Sequence, residues 1–471
     1  MINAVRPLAS ALAATGLMAL VPAAVAGRGG TGHAPIFLAT AAFCIFLAGA
    51  LRFTTEGSHL RLRQAQGLAG LTLLWLVLPL AATPAISVAA GLPPLAAWLE
   101  AVSAFTTTGV TAVHNGPRSL YVWLALLQWS GGLLTIVSAV TVLAPAGLGG
   151  LPDRTPKGGT LLDVVDVRGV VREIGPLYVL LTLAAVLVLM VGGHSLYVSF
   201  TLATAVASTG AHLPPEAQLA LTLESTPKWL MLPFLLWAAT SVRWHRALVT
   251  RRINAAPEQK ESVVLLLYWL ALGLVFGIIL FNHADSPVVD ALRDGLFTAA
   301  SLISTSGIGP HDGTYASLPM GVIIAVVLLG GGALSAAGGL KMLRLRAMLL
   351  RARGDLLRLV YPNLVQPAAL EEGGVGSAMR GVWVGAATLF AVYGACIIAL
   401  APGLPSFDAA LTAGAAIISN TGPIYDASGA GWPPLATLPA GSVVVAGLGM
   451  IAGRLEIIGL FVMAHLAVWR T

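Results

Sequence analysis

The chain has 471 residues, 57% of them hydrophobic and only 10% charged, with a mean hydropathy of +0.86. Soluble domains carry about a quarter charged residues, so the composition excludes a water-soluble globular protein and indicates one embedded in a bilayer. The formal charge of +6 is then a matter of membrane topology, not of nucleic-acid binding.

Crossing the hydrocarbon core takes roughly 20 apolar residues per helix, and ten runs of that kind are legible. They do not alternate polar with apolar residues, which a membrane β-barrel requires. The expected fold is an all-α membrane protein. Met1 to Ala26 is the first run; Arg6 near its start and Ala24-Val25-Ala26 before a glycine-rich stretch also fit a cleaved signal peptide. The second run, Ala34 to Ala50, follows at once and pairs naturally with the first, so residues 1–63 read as two N-terminal spans closed by Arg52, Arg61 and Arg63.

From Leu68 a pattern repeats: a long apolar helix, a shorter segment ending at a glycine, a second long helix. The three parts are Leu68 to Ala90, Leu95 to Val110 and Leu120 to Leu143 in the first unit, and Gly175 to Val191, Leu196 to Gly210 and Lys228 to Arg243 in the second. They are Val263 to Phe281, Val288 to Gly309 and Leu318 to Leu340 in the third, and Gly381 to Leu400, Ser406 to Pro423 and Leu438 to Val468 in the fourth. The units occupy residues 64–150, 151–253, 254–358 and 359–471. The middle segments are too short to cross the bilayer and fit re-entrant pore helices, which enter and leave on one face. Lys and Arg concentrate on the side of the map that holds Arg154, Lys157, Arg246, Arg251, Arg344 and Arg351, while the other side has only Arg28, Arg118, Lys228 and Arg293. By the positive-inside rule the first side is cytoplasmic. The re-entrant segments therefore open to the outside.

The outer side also carries Glu100, Glu216, Glu224, Asp285, Asp290, Asp294, Asp312, Asp408 and Asp426, an acidic face that draws cations. Asp290 and Asp408 fall where pore helices begin, where a carboxylate complements the helix dipole. The histidines, among them His194, His212, His245 and His311, are scattered over both faces and read as solvated loop residues. Cys44 and Cys396 lie inside apolar runs and indicate neither a disulfide nor a metal site.

Each middle segment ends in oxygen-bearing side chains and a glycine: Thr107-Thr108-Gly109-Val110, Ser208-Thr209-Gly210-Ala211, Thr305-Ser306-Gly307-Ile308 and Asn420-Thr421-Gly422-Pro423. One such copy would read as a helix end or a close helix contact. Four copies at nearly even spacing read as four strands facing one axis, whose carbonyl oxygens replace a cation's hydration shell. Glycine enters positive φ without Cβ strain, so it lets successive carbonyls turn inward. Hard, neutral oxygens of this kind suit alkali ions. Below this filter, Gly330 to Gly339, with Gly331, Gly332, Ser335, Gly338 and Gly339, interrupts the last helix of the third unit. A flexible gate and close helix packing fit that break equally well. Lys341 just beyond it reads as an interfacial anchor. Arg454 lies within a span, where a charge needs a partner or a cavity: Glu456, Glu100 or the pore itself.

These residues resemble the Trk/Ktr/HKT superfamily of potassium transporters, most like its bacterial TrkH branch, over nearly the whole chain. Glu100-Ala-Val-Ser-Ala-Phe-Thr-Thr-Thr-Gly109 resembles the first filter, Gln128-Trp-Ser-Gly-Gly132 an inner-helix motif, and Asp290 to Gly307 the third pore loop. Gly338-Gly339-Leu340-Lys341 resembles the end of the intramembrane gating loop, and Gly453-Arg454-Leu455-Glu456 the last inner helix. The two extra N-terminal spans favour the TrkH branch. The resemblance implies a potassium uptake protein in the inner membrane, multi-pass with cytoplasmic termini, built from four joined M1-P-M2 units around a pore with K⁺ at the filter carbonyls. It also implies a homodimer in the lipid bilayer, a cytoplasmic TrkA-like RCK nucleotide-binding subunit, gating by the loop from Gly331 to Lys341, narrowing of the pore by Arg454, and no covalent cofactor. The filter glycine falls by position on Gly109, Gly210, Gly307 and Gly422.

The second loop departs from the family's Asn-Ala-Gly-Phe character, the fourth reads Asn-Thr-Gly-Pro-Ile-Tyr, and the gating loop reads Gly-Gly-Ala-Leu-Ser-Ala-Ala in place of a more polar pattern. These departures imply looser K⁺ over Na⁺ selectivity. The alternative is a Na⁺- or H⁺-coupled secondary transporter, a class that uses inverted repeats and a midplane acid; here all four units run the same way. A membrane enzyme is not indicated, since no His-rich metal set, nucleophile elbow or phosphate loop is present.

Overall fold

The computed structural model describes residues 2–55, 64–113, 115–143, 167–249, 258–284, 287–361, 375–429 and 431–455. Among these it is helical and contains no strand. The N-terminal pair is α1 (Ile2–Gly29) and α2 (Ala34–Thr54). The first unit is α3 (Gln64–Ala90), α4 (Pro94–Phe105) and α5 (Arg118–Ser138), and the second is α6 (Val167–Val191), α7 (Leu196–Ser208), α8 (Pro215–Leu223), α9 (Thr226–Ala239) and α10 (Val242–Val249). The third is α11 (Glu258–Ala284), α12 (Val288–Ile303), α13 (Met320–Leu329) and α14 (Met342–Val360), and the fourth is α15 (Val375–Leu400), α16 (Phe407–Ser419) and α17 (Ala440–Arg454).

In hydrocarbon every backbone polar group must be satisfied within the segment, which selects helices. Stray hydroxyls obey the same rule by turning back on the preceding turn: Thr15 donates to Ala11 O at 2.9 Å, Thr40 to Ile36 O at 2.9 Å and Thr72 to Leu68 O at 3.0 Å. Seven helical segments among the described residues are long and apolar enough to span, in α1, α2, α3, α5, α6, α11 and α15. Two of the other three expected spans are shorter than the apolar runs suggest, and the third is described only in part. The run from Lys228 to Arg243 breaks at Thr240 between α9 and α10, that from Leu318 to Leu340 stops at Leu329, and the last is described only as far as Leu455. The break after Leu329 has a local cause: Gly330, at φ +67°, leaves the helical region, and four more glycines follow within nine residues of it.

The pore helices start with capping residues suited to a sharp entry. Ser195 and Ser406 accept hydrogen bonds from Val198 N (3.3 Å) and Ala409 N (3.1 Å), and Pro94 opens α4. Asp290 and Asp408 fall in the first turns of α12 and α16.

The packing order closes a ring. The inner helix of each unit lies against the pore helix of the next: α5 on α7, α9 on α12, α13 on α16, and α17 back on α4. This cyclic contact places the ends of the four pore helices around one axis. The α1/α2 hairpin packs outside the ring, against α3 and α5.

Candidate functional site: a four-stranded constriction between a vestibule and an intramembrane loop

Each pore helix ends in the same way. A residue that is not glycine takes a left-handed conformation: Thr107 (φ 55°), Thr209 (58°), Thr305 (56°) and Asn420 (55°). The next amide reaches back five residues to close the helix, from Thr108 to Ser103 O, Gly210 to Ala205 O, Ser306 to Ser301 O and Thr421 to Ala416 O. Left-handed geometry costs a side-chain-bearing residue about 1–2 kcal/mol. Four such residues at matched positions mark a built feature, because strain of this kind persists only where the surroundings impose it.

These matched ends fix the register among the four strands. Thr107, Thr209, Thr305 and Asn420 form one layer, Thr108, Gly210, Ser306 and Thr421 the next, and Gly109, Ala211, Gly307 and Gly422 the third. Gly210 thus stands one position short of the glycine layer, and the corner that the sequence assigned to it is held by Ala211. The vestibule wall agrees, since it includes Gly109, Ala211, Gly307 and Gly422 but not Gly210.

The glycines have different reasons to be there. Gly109 (φ +85°) and Gly307 (φ +72°) adopt positive φ, as the sequence reading requires. Gly210 and Gly422 do not. A Cβ on Gly422 would strike the backbone of Gly109 and Val110, and one on Gly109 would stand 2.6 Å from the Ala211 Cβ. The third layer therefore accommodates one methyl group at this contact and not a second.

The strands are locked to one another. Gly422 N donates to Thr108 O at 2.5 Å, Asn420 Nδ2 to Thr108 Oγ1 at 3.0 Å and to Met450 O at 2.9 Å, and the Ser306 hydroxyl to Gly210 O at 3.3 Å. Thr107, Thr108, Ser208, Thr209, Thr305, Ser306, Asn420 and Thr421 are all fully buried. On one side of the glycine layer opens a vestibule of about 420 Å³, whose wall includes Val110, Ile308, Pro423, His311, Asp312 and Asp426. Three of the four bases expected on the outer face are neutralised: Arg293 binds Asp290 (2.5 Å) and Asp294 (2.8 Å), Lys228 binds Asp294 (3.3 Å), and Arg118 binds Glu216 (3.2 Å). The carboxylates of Asp312 and Asp426 on the vestibule wall then favour cations over anions.

The opposite side is closed by the segment from Gly330 to Lys341. It is held by the strands themselves. Thr209 Oγ1 donates to Ala336 O at 3.2 Å, and Gly338 N donates to Thr305 Oγ1 at 2.7 Å. Arg454, 3% exposed, joins the two parts: Nε donates to Thr106 O (2.6 Å), Nη1 to Ala336 O (2.5 Å) and Nη2 to the Thr107 hydroxyl. Of the partners considered for Arg454 from the sequence, Glu100 is not one it uses, and Glu456 lies outside the described residues. Lys341 is not an interfacial anchor. It is 6% exposed, and its ammonium turns back onto the carbonyls of Ser335 (3.4 Å) and Ala337.

Further ties come from elements that the sequence did not single out. Gly332 N donates to Ala239 O at 2.8 Å and Val242 N to Leu334 O at 3.3 Å, so the break between α9 and α10 grips the loop. The Glu261 carboxylate accepts from Ala333 N at 2.8 Å. His245 is buried at that break, stacked on Trp237 with ring centroids 4.1 Å apart and 2.7 Å from the Thr240 hydroxyl. His212 is buried too. Both differ from the expected solvated loop residues, because each follows a helix end that is turned inward. For Glu261 the available signal was an acid at the edge of an apolar run.

Residues 33–210 match TrkH, a family of cation transport proteins. The Trk system potassium uptake protein TrkH of Halomonas elongata is 26% identical over 87% of this chain and 87% of its own, and that of Escherichia coli K12 is 26% identical over 97% and 95%. The crystal structure of the potassium transporter TrkH from Vibrio parahaemolyticus superposes with a TM-score of 0.84 over 100% of this chain and 99% of that one, at 23% identity. The fold is therefore shared across its whole length.

Proposed function

We propose that this chain, whose residues 33–210 match the TrkH family of cation transport proteins, is a potassium uptake protein that passes K⁺ along the axis of its four strands. The observation that carries this reading is the cyclic arrangement of four matched helix ends between an outer vestibule and an inner loop. Backbone and hydroxyl oxygens concentrated on a dehydrated axis replace water around an alkali ion, and the C-terminal ends of four pore helices add negative potential there. Filter residues are Thr107 to Val110, Thr209 to His212, Thr305 to Ile308 and Asn420 to Pro423. The conformation described is a closed one, with Gly330 to Lys341 as the gate and Arg454 as its bolt.

Around this core the proposal places the protein in the inner membrane with both termini cytoplasmic. It acts there as a homodimer with a TrkA-like RCK nucleotide-binding subunit at the basic inner face, and it needs no covalent cofactor. Ala211 in the glycine layer supports discrimination between K⁺ and Na⁺ that is looser than four glycines would give. The test is uptake of ⁸⁶Rb⁺ and ²²Na⁺ into proteoliposomes under matched gradients. Uptake of Rb⁺ down its own gradient, with no Na⁺ or H⁺ gradient imposed, supports the pore; uptake only with such a gradient replaces it with coupled transport.

A further inference from the structure

The first and fourth strands are joined directly by Gly422 N on Thr108 O, and the second and third by the Ser306 hydroxyl on Gly210 O. Between the first and second the connection runs behind the filter. His212 follows Ala211, in register with Val110, Ile308 and Pro423, yet it takes no part in the vestibule wall. Its ring is turned into the protein, with Nε2 3.2 Å from Glu100 Oε1. Glu100, 2% exposed on α4, holds the first strand at the same time: Oε1 accepts from the Thr111 hydroxyl at 2.6 Å and Oε2 from Ala112 N at 2.9 Å. Gln128 on α5 grips the backbone of His212 from both sides, donating from Nε2 to its carbonyl (3.1 Å) and accepting from its amide at Oε1 (3.2 Å).

Burying a carboxylate, an imidazole and a carboxamide together is expensive, and packed apolar side chains of similar size often give equal or greater stability. What such a set supplies is fixed geometry. Fixed geometry matters most at this corner, since Ala211 stands where a Cβ on Gly109 would have to go. We propose that Glu100 and His212 are positioning residues for ion discrimination: their clasp sets the separation of the first and second strands at the corner that carries alanine. The inference rests on the potassium-passage reading of the same filter.

The test uses the full chain in proteoliposomes and compares Rb⁺ and Na⁺ uptake in wild type, His212→Phe, His212→Gln and Glu100→Gln. A second readout is the thermal stabilisation given by K⁺ relative to Na⁺ in detergent, which reports binding with the gate shut. His212→Phe keeps an aromatic ring, somewhat larger than imidazole, and removes both ring nitrogens. Its Rb⁺/Na⁺ ratio is expected to fall by about tenfold, the scale on which outer-shell partners tune cation sites. His212→Gln, which keeps a polar nitrogen able to face Glu100, restores the ratio to within about threefold of wild type on that scale. Glu100→Gln loses discrimination while folding, and serves where the phenylalanine variant does not fold. Wild-type discrimination in either folded variant overturns the clasp, and equal loss in His212→Gln and His212→Phe overturns its polar basis in favour of ring packing. A wild-type protein that neither passes nor binds either cation rejects the underlying reading instead.

Discussion

Replacing Arg454 by alanine separates its role in closure from any role in folding. The guanidinium makes three hydrogen bonds, but only that to Ala336 O reaches the loop; those to Thr106 and Thr107 stay on the first strand. Ala336 O is not left bare, because it still accepts from Thr209. The closed state therefore loses one charge-assisted bond, worth about 1.5–3 kcal/mol. At 1.4 kcal/mol per decade this raises the open fraction by roughly 10- to 150-fold. Fold stability moves far less, since removing the bonds also removes the cost of burying the charge. The assay is initial ⁸⁶Rb⁺ uptake into proteoliposomes, with melting temperature as the control. Arg454→Lys, which keeps the charge without the planar fork, is expected between wild type and alanine. Alanine-variant uptake no faster than wild type, at an unchanged melting temperature, refutes the reasoning.

Other changes test neighbouring parts of the account. Gly307→Ala forces a side chain into left-handed backbone at about 1–2 kcal/mol and presses its Cβ to 2.9 Å from Pro423 Cδ. Gly210→Ala has no positive φ, but its Cβ would strike Gln128 Oε1, so the carboxamide that holds His212 must shift. The Rb⁺/Na⁺ uptake ratio should fall in Gly307→Ala; a wild-type ratio in the folded variant contradicts the placement of Gly307 in the glycine layer. Thr305→Ala removes the acceptor of Gly338 N and should raise basal uptake several-fold by loss of about 1 kcal/mol from the closed loop; uptake at the wild-type rate would mean the contact does not hold the gate. Glu261→Gln keeps an oxygen for Ala333 N and should gate like wild type, whereas Glu261→Ala should leak. Equal behaviour of the two, read by the same uptake, dismisses Glu261 as a holder of the loop.

Much of this architecture is visible before any coordinates. Apolar length and charge bias place the spans, and the recurring Ser/Thr-Gly endings mark the four corners, because both follow from rules that act locally. The register of the second strand was legible too, though not from its glycine. Thr106, Ser208, Ser304 and Ser419 put a hydroxyl at the end of each pore helix. Counting from that hydroxyl sets Ala211 beside Gly109, Gly307 and Gly422. The helix break after Leu329 was announced by the glycines from Gly330 onward, whereas the one at Thr240 was hidden, since an apolar run continues through it and tertiary partners decide where the backbone leaves the helix. The buried roles of Glu100, His212 and Glu261 were hidden for the same reason. Each contact spans from 11 to 112 residues of chain, so no local pattern announces it.

The central claim is that an alkali ion passes through the axis of four matched strands and is chosen by them. Parallel uptake of K⁺, Rb⁺, Na⁺ and Li⁺ into proteoliposomes of the Arg454→Ala protein, whose gate is released, tests it most directly. The account predicts passive uptake with K⁺ and Rb⁺ ahead of Na⁺ and Li⁺, and a smaller lead once Gly109→Ser is added. Equal uptake of all four ions, or none in a folded protein with its bolt removed, would contradict it.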